Sequence, residues 1–194
     1  MTGDAATGAS AGRRKRYYEA AARLRVPLGF LVLAVYAVFA RPAPARVAAG
    51  GVIALAGIVL RAAAAGHLAK NQRLATSGPY AYTRNPLYLG SALAGLGFAI
   101  AGGRWWLALL LAVYLFAFFL PVVAEEEAYL ATLFPEFQAY ARIVPRFWPA
   151  RGRVVPSSER FRWSLYWRNR EYNALLAYLF GIGLLLWKMF AARG

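Results

Sequence analysis

Arg84, Asn85 and Tyr88 stand within one short stretch, and three consecutive carboxylates, Glu125, Glu126 and Glu127, follow some forty positions later. A guanidinium is a permanent cation with five donors, whereas carboxylates accept hydrogen bonds from ammonium and hydroxyl groups. Asn85-Pro86 has the form of a helix start, with Asn85 as N-cap and Pro86 in the first helical position. Free backbone N–H groups there, beside Arg84, would stabilise an anionic group such as a carboxylate. Gly78-Pro79 is a turn signal just upstream, and Tyr80, Tyr82 and Tyr88 add flat surfaces with polar ends that suit an aromatic base. The three glutamates advance by about 100° each on a helix, so no more than two can share one pocket. An interfacial loop with a tyrosine belt, ending in a solvated helix end, is the plainer reading of the same residues.

These residues interrupt long apolar runs. Of 194 residues, 60% are hydrophobic and 16% charged, and the apolar residues come in blocks, which is the pattern of an all-α, polytopic membrane protein. A hydrocarbon core of roughly 30 Å needs about 20 helical residues to cross. Five runs are candidates: Val26 to Ala40, Ala45 to Ala65, Leu87 to Gly102, Trp105 to Ala124 and Tyr172 to Phe190. The first and third are short for a perpendicular span. Gly102-Gly103-Arg104 leaves room only for a tight turn, so the third and fourth helices form an antiparallel hairpin and return the glutamates to the face that holds Arg84. The fourth helix is expected to continue as far as Ile143, ending before Val144-Pro145. The resulting division is a basic N-terminal segment (1–25), a membrane core (26–149), a polar linker with interfacial aromatics (150–171) and a C-terminal transmembrane helix (172–194).

Charge sets the expected orientation. Six basic residues precede the first run, Lys70, Arg73 and Arg84 lie in the segment 66–86, and eight arginines lie in 125–171. Arg41, Arg46, Arg104, Lys188 and Arg193 fall on the other side, and all eight carboxylates fall on the richer one. The positive-inside bias then puts the N-terminus and the Arg84 face in the cytoplasm, in a cytoplasmic membrane. A net charge of +15 flanks spans and mixes with carboxylates, so anionic lipid headgroups rather than nucleic acid are the expected counter-charge. Cysteine is absent, which removes thiol nucleophiles and cysteine-based metal sites, and a lone His67 makes no metal centre. The first run reads as a retained helix rather than a cleaved leader, because Pro44 interrupts the small-residue stretch Ala43–Ala45.

Leu74-Ala75-Thr76-Ser77-Gly78-Pro79-Tyr80, then Arg84-Asn85-Pro86-Leu87-Tyr88-Leu89-Gly90, then Glu126-Glu127 with Leu130, Phe134, Tyr140 and Val144-Pro145-Arg146, resemble the isoprenylcysteine carboxyl methyltransferase and phospholipid methyltransferase superfamily. The resemblance covers residues 74–149. It implies an integral-membrane methyltransferase that uses S-adenosylmethionine, held by Gly78, Pro79, Tyr80, Arg84, Asn85, Pro86, Glu126 and Glu127, with Arg84, Glu126 and Tyr88 as the catalytic candidates. By this analogy Arg84 faces a carboxylate, and Glu126 or Glu127 meets the cofactor's ammonium or ribose hydroxyls. No G-x-G-x-x-G after a strand offers a Rossmann alternative. Asn85 stands where eukaryotic members usually have histidine, and Pro135 and Phe137 replace a glycine and a tyrosine often found after the position of Phe134. A fifth helix also follows the motif, where many relatives end.

Loss of that imidazole leans the reading toward O-methylation of a carboxylate on a lipid-like or prenyl-type acceptor, since a carboxylate is ionised at pH 7 and needs no base. N-methylation of a phospholipid amine, a non-catalytic membrane scaffold, and an NADPH-dependent reductase of related architecture are the alternatives that residue types leave standing.

Overall fold

The computed structural model describes residues 23–24, 27–150 and 159–191. Most of the basic segment 1–25, most of the linker between 150 and 160, and the end of the chain from 192 lie outside the described residues. Within them the chain is helical, with no strand: α1 (Pro27–Phe39), α2 (Pro44–Ala65), a 3-10 turn (Gly78–Ala81), α3 (Pro86–Gly102), α4 (Trp105–Leu133), α5 (Phe137–Ile143), α6 (Trp163–Arg168) and α7 (Tyr172–Ala191). By length and composition α2, α4 and α7 are able to cross a membrane, and α1 and α3 are shorter apolar helices.

The spine of the bundle is the α2–α3 pair. Gly50, Ala54 and Gly57 on α2 face Gly90, Ala94, Gly97 and Ala101 on α3, and the backbones approach so closely that no larger side chain fits. A Cβ on Gly50 would strike the Gly97 carbonyl, and one on Gly57 would strike the Gly90 carbonyl. In lipid, where apolar surface gains nothing by leaving water, such small-residue stripes are what let helices pack by dispersion. α1 is tied to this spine where Tyr36 donates to the Phe98 carbonyl at 2.6 Å. Tyr36, Ala40, Val47, Ala101, Leu107 and Leu185 then gather α1, α2, α3, α4 and α7 into one core near the α3–α4 turn. That turn is made by Gly103 in the left-handed region at φ 66°, a conformation costly for any residue with a Cβ.

α4 departs from the expected course. It runs 29 residues, nine beyond Ala124, and then stops. Pro135 forces Phe134 into extended backbone (φ −125°, ψ 109°), and a separate short helix, α5, takes over from Phe137 to Ile143. The predicted continuous helix to Ile143 is therefore two helices with a corner between them. The corner folds Phe134, Phe137, Tyr140 and Val144 back over Leu74 and Leu130, and the Tyr140 hydroxyl donates to the Tyr80 carbonyl at 2.7 Å. A straight helix would have carried these residues away from the site.

The C-terminal helix is joined to the bundle at both ends. Arg61 of α2 pairs with Glu171, just ahead of α7, and also donates to Ser91 and to the Leu87 carbonyl. At the other end Lys188 donates to the carbonyls of Ala37 and Val38 at 2.6 and 2.8 Å, filling acceptors that the end of α1 leaves open. The predicted interfacial aromatics form α6 and its flanks, where Phe161, Trp163, Tyr166, Trp167 and Tyr172 contact one another in sequence.

Candidate active site

The α3–α4 hairpin brings the N-terminus of α3 beside the C-terminal third of α4, and the segment after α5 closes the third side. Arg84 N donates to the Pro145 carbonyl at 2.9 Å, and Ala150 N donates to the Tyr82 carbonyl at 3.0 Å. The buried Thr83 hydroxyl donates to the Arg146 carbonyl at 3.1 Å. These bonds hold residues 80–85 and 144–150 side by side, so that Arg84, Asn85 and Arg146 all reach one carboxylate.

That carboxylate is Glu127. It is only 7% exposed. Asn85 Nδ2 donates to its Oε1 at 2.9 Å, Arg146 donates to its Oε2 through Nε at 3.0 Å and Nη2 at 2.6 Å, and Arg84 Nε lies 3.5 Å from Oε1. A buried carboxylate requires this density of donors, because its charge is otherwise costly to remove from water. Asn85 does occupy the N-cap position of α3, but its side chain makes no cap bond; its amide is spent on Glu127 and on the Arg146 carbonyl. The expected capping interaction is thus replaced by a tertiary one.

Glu126 points elsewhere. Its Oε2 accepts from the Tyr88 hydroxyl at 3.0 Å, and Tyr88 is set edge-on against Phe119 of α4 at 5.4 Å between ring centres. Glu125 is exposed and takes no part in the cavity. The fan of three glutamates therefore resolves into a solvated residue, a half-buried one at the cavity wall and a buried hub.

The cavity between these groups has walls of both characters. Tyr80, Arg84, Asn85, Tyr88, Glu126 and Glu127 supply the polar wall, and apolar residues led by Leu130 and Phe134 supply the rest. It has about 60 Å³ for a water-sized occupant, within about 610 Å³ that includes open solvent. Arg84 Nε is buried and has no hydrogen-bond partner among the described residues, the distance to Glu127 being that of an ion pair rather than a hydrogen bond. An orphaned buried donor of this kind is uncommon and marks a place where a ligand acceptor would be favoured. Gly78, Pro79 and Pro86 do not line the cavity. Gly78, at φ 57°, lies against the His67 ring, and His67 Nδ1 is 2.9 Å from the buried Ser77 hydroxyl. Burial, and then the nearby Arg73, lower the His67 pKa below its ordinary value. Burial is also the largest of the influences that raise the Tyr80 and Tyr140 phenols, keeping both protonated.

A second, apolar groove of about 610 Å³ opens between α3 and α4, lined by Leu89, Leu96, Leu115, Phe116, Leu120 and their neighbours. Tyr88 borders both this groove and the polar cavity. Arg146 is a further residue of the site that sequence reasoning misses; nothing in Val144-Pro145-Arg146 as a string tells that its guanidinium returns to Glu127.

An apolar helical bundle with a charged cavity at the mouth of one hairpin, and an apolar groove that shares Tyr88 with it, has the character of an all-α integral-membrane protein. The family model described as phospholipid methyltransferase matches residues 45–136, so the resemblance read from the motifs, to the isoprenylcysteine carboxyl methyltransferase and phospholipid methyltransferase superfamily, holds over this part of the chain. Among curated relatives, a cobalt-zinc-cadmium resistance protein, CzcN, of Cupriavidus metallidurans is 39% identical over 80 residues, covering 41% of this chain and 37% of that protein. A protein-S-isoprenylcysteine O-methyltransferase of Schizosaccharomyces pombe is 30% identical over 128 residues, covering 63% of this chain and 54% of that protein. The nickel-cobalt-cadmium resistance protein NccN of Alcaligenes xylosoxydans xylosoxydans is 35% identical over 80 residues, 41% of this chain and 38% of that protein. The chain thus spans between about a third and about half of the length of these relatives. No solved structure matches. The family model and one relative are described as methyltransferases, and the other two relatives as metal-resistance proteins.

Proposed function

We propose that this protein transfers a methyl group from S-adenosylmethionine to a carboxylate on a lipid-like or prenyl-type acceptor, at the cytoplasmic face of the membrane. The observation that carries the reading is the opposition of Arg84, with its unsatisfied buried donor, and Glu126, held by Tyr88, across one cavity. This pair fits the cofactor's amino-acid end, which carries one charge of each sign. Arg84 would bind the carboxylate and Glu126 the ammonium, while Tyr80, Leu130 and Phe134 offer flat and apolar surface to a nucleoside. When bound, the cofactor supplies a methyl group already activated on a sulfonium, so the chain's part is alignment and exclusion of water. Glu127, fully engaged by Asn85 and Arg146, keeps Arg84 in place. The free volume is smaller than a nucleoside requires, so binding requires the cavity to widen.

The groove between α3 and α4 suits the acceptor's chain. Tyr88 stands where groove meets cavity, so an acceptor headgroup passing it would arrive beside Arg84. A carboxylate there needs orientation and no deprotonation; the relative named for isoprenylcysteine O-methylation agrees with this choice. Methylation of a phospholipid amine is the second reading, favoured by the family model's description and by Glu126, the carboxylate available to accept the amine's proton.

Isothermal titration of the detergent-purified protein with S-adenosylhomocysteine tests the site. Binding is expected for the wild type and is expected to be lost in Arg84→Ala and Glu126→Ala; absence of wild-type binding, or binding indifferent to both substitutions, refutes it. Membranes given methyl-labelled S-adenosylmethionine then decide the acceptor, as label in base-labile esters supports carboxyl methylation and label in base-stable amines supports the second reading.

A further inference from the structure

The bundle end opposite Glu126 holds a basin that the proposed reaction does not use. Its open space is about 870 Å³, and its lining includes Arg41, Arg104, Lys188, Phe39 and Trp106. Local structure assembles the cations. Arg41 N donates to the Gly102 carbonyl at 2.9 Å, which pins the α1–α2 connection to the α3–α4 turn and sets Arg41 near Arg104. Arg46 donates to the Arg41 carbonyl at 3.0 Å and adds a fourth positive charge beside them. Lys188 is held by the α1 carbonyls, so its charge is fixed at the rim.

Nothing among the described residues neutralises this group. The described carboxylates are Glu125, Glu126, Glu127, Glu136, Glu159 and Glu171, and α4 alone separates Arg104 from Glu127 by 23 positions, roughly 35 Å of helix. None of the four cations makes an ion pair among the described residues. α2 and α4 also begin here, both without an acidic residue in the first turn and without a side-chain cap, which adds to the positive potential. Half-buried Trp106 lines the basin, and exposed Trp105 and Trp187 adjoin Arg104 and Lys188 in the chain at this end, as tryptophan does at the level of lipid headgroups.

We propose that this basin binds a phosphate group, carried on an anionic phospholipid or free, through Arg41 and Arg104, with Lys188 and Arg46 as supporting charges. Guanidinium groups match phosphate oxygens in geometry as well as charge, and the aromatic rim places the site at the depth of a lipid phosphodiester. The inference is independent of the methyltransferase reading, since it concerns the other face.

Native mass spectrometry of the detergent-purified full chain tests it with phosphatidylglycerol and phosphatidylcholine as probes. The wild type is expected to retain phosphatidylglycerol about fivefold more than phosphatidylcholine, the double variant Arg41→Gln/Arg104→Gln to retain the two equally, and Arg41→Lys/Arg104→Lys to recover the preference. Arg162→Gln/Arg168→Gln, on the other basic face, is expected to behave as wild type. Displacement of phosphatidylglycerol by millimolar inorganic phosphate would identify free phosphate as a sufficient ligand, and retention against it would identify the lipid as the source. A preference unchanged in Arg41→Gln/Arg104→Gln, or lost equally in Arg162→Gln/Arg168→Gln, overturns the proposal.

Discussion

Adjacent glutamates with equal charge are given opposite tasks by their partners. Glu127 is enclosed by Asn85, Arg84 and Arg146, so its loss leaves Arg84 buried beside an unpaired amide. Breaking a buried pair this way costs about 3–5 kcal/mol, and the half-exposed Arg146 argues for the lower end, about 3. Glu126 meets only Tyr88 and the cavity. Glu127→Gln is therefore expected to lower thermal stability in detergent markedly, whereas Glu126→Gln melts near wild type but loses S-adenosylhomocysteine binding; equal melting losses in the two variants would contradict this division. His67 is a second case in which neighbours decide a residue's state. Its lowered pKa favours the neutral ring in the folded protein, so its contribution to stability is complete above the ordinary histidine value of about 6.5 and declines as pH falls through the lower folded value. Melting curves from pH 8 down to pH 5 are expected to fall more steeply for the wild type than for His67→Gln, and parallel curves would remove His67 as the cause.

The elements follow rules that differ in how visible they are along the chain. Apolar length marks α2, α4 and α7, and Gly102-Gly103 marks the hairpin, because each depends on neighbours in sequence. The corner at Phe134-Pro135 carries its signal too, in the proline, yet a helix that leaves the membrane has no hydropathic reason to stop there. What decides it is the packing of Phe137 and Tyr140 on Leu74 and Tyr80, a contact across more than 50 positions. For the same reason Arg84 and the glutamates are recognisable as candidates from type and motif, while the clamp of Arg146 on Glu127 and of Arg61 on Glu171 is not. The small-residue stripe of α2 and α3 gives an element-scale prediction. Gly57→Leu forces side-chain atoms into the Gly90 carbonyl and Ala94 backbone, and no rotamer relieves a backbone clash. The variant is expected to be lost from the monodisperse peak in detergent size exclusion, whereas Gly183→Leu on α7, where a Cβ meets nothing within 4 Å, elutes normally.

For the molecule as a whole, the two ends of the bundle differ in kind. One end gathers every described carboxylate, with Glu127, Glu159 and Glu171 paired to arginines; the other presents Arg41, Arg46, Arg104 and Lys188 without a carboxylate among the described residues. Positive charge on short loops opposes translocation, and carboxylates count little in that balance, so the end with more Arg and Lys is the one retained. The segments 66–86 and 125–171 carry eleven such residues, against four at the described opposite end. On this balance the Glu126 site is expected to face the cytoplasm, the side on which the proposed methyl donor would be supplied. The absence of cysteine allows a direct measurement, because a single introduced thiol has no background. Glu136→Cys, on an exposed residue at the α4–α5 corner, is expected to resist a membrane-impermeant maleimide in intact cells and to react after permeabilisation. Trp105→Cys, at a position 79% exposed at the start of α4, is expected to react in intact cells. Reversal of the two patterns would place the cavity outside, and with it would fall the cytoplasmic supply of its ligand.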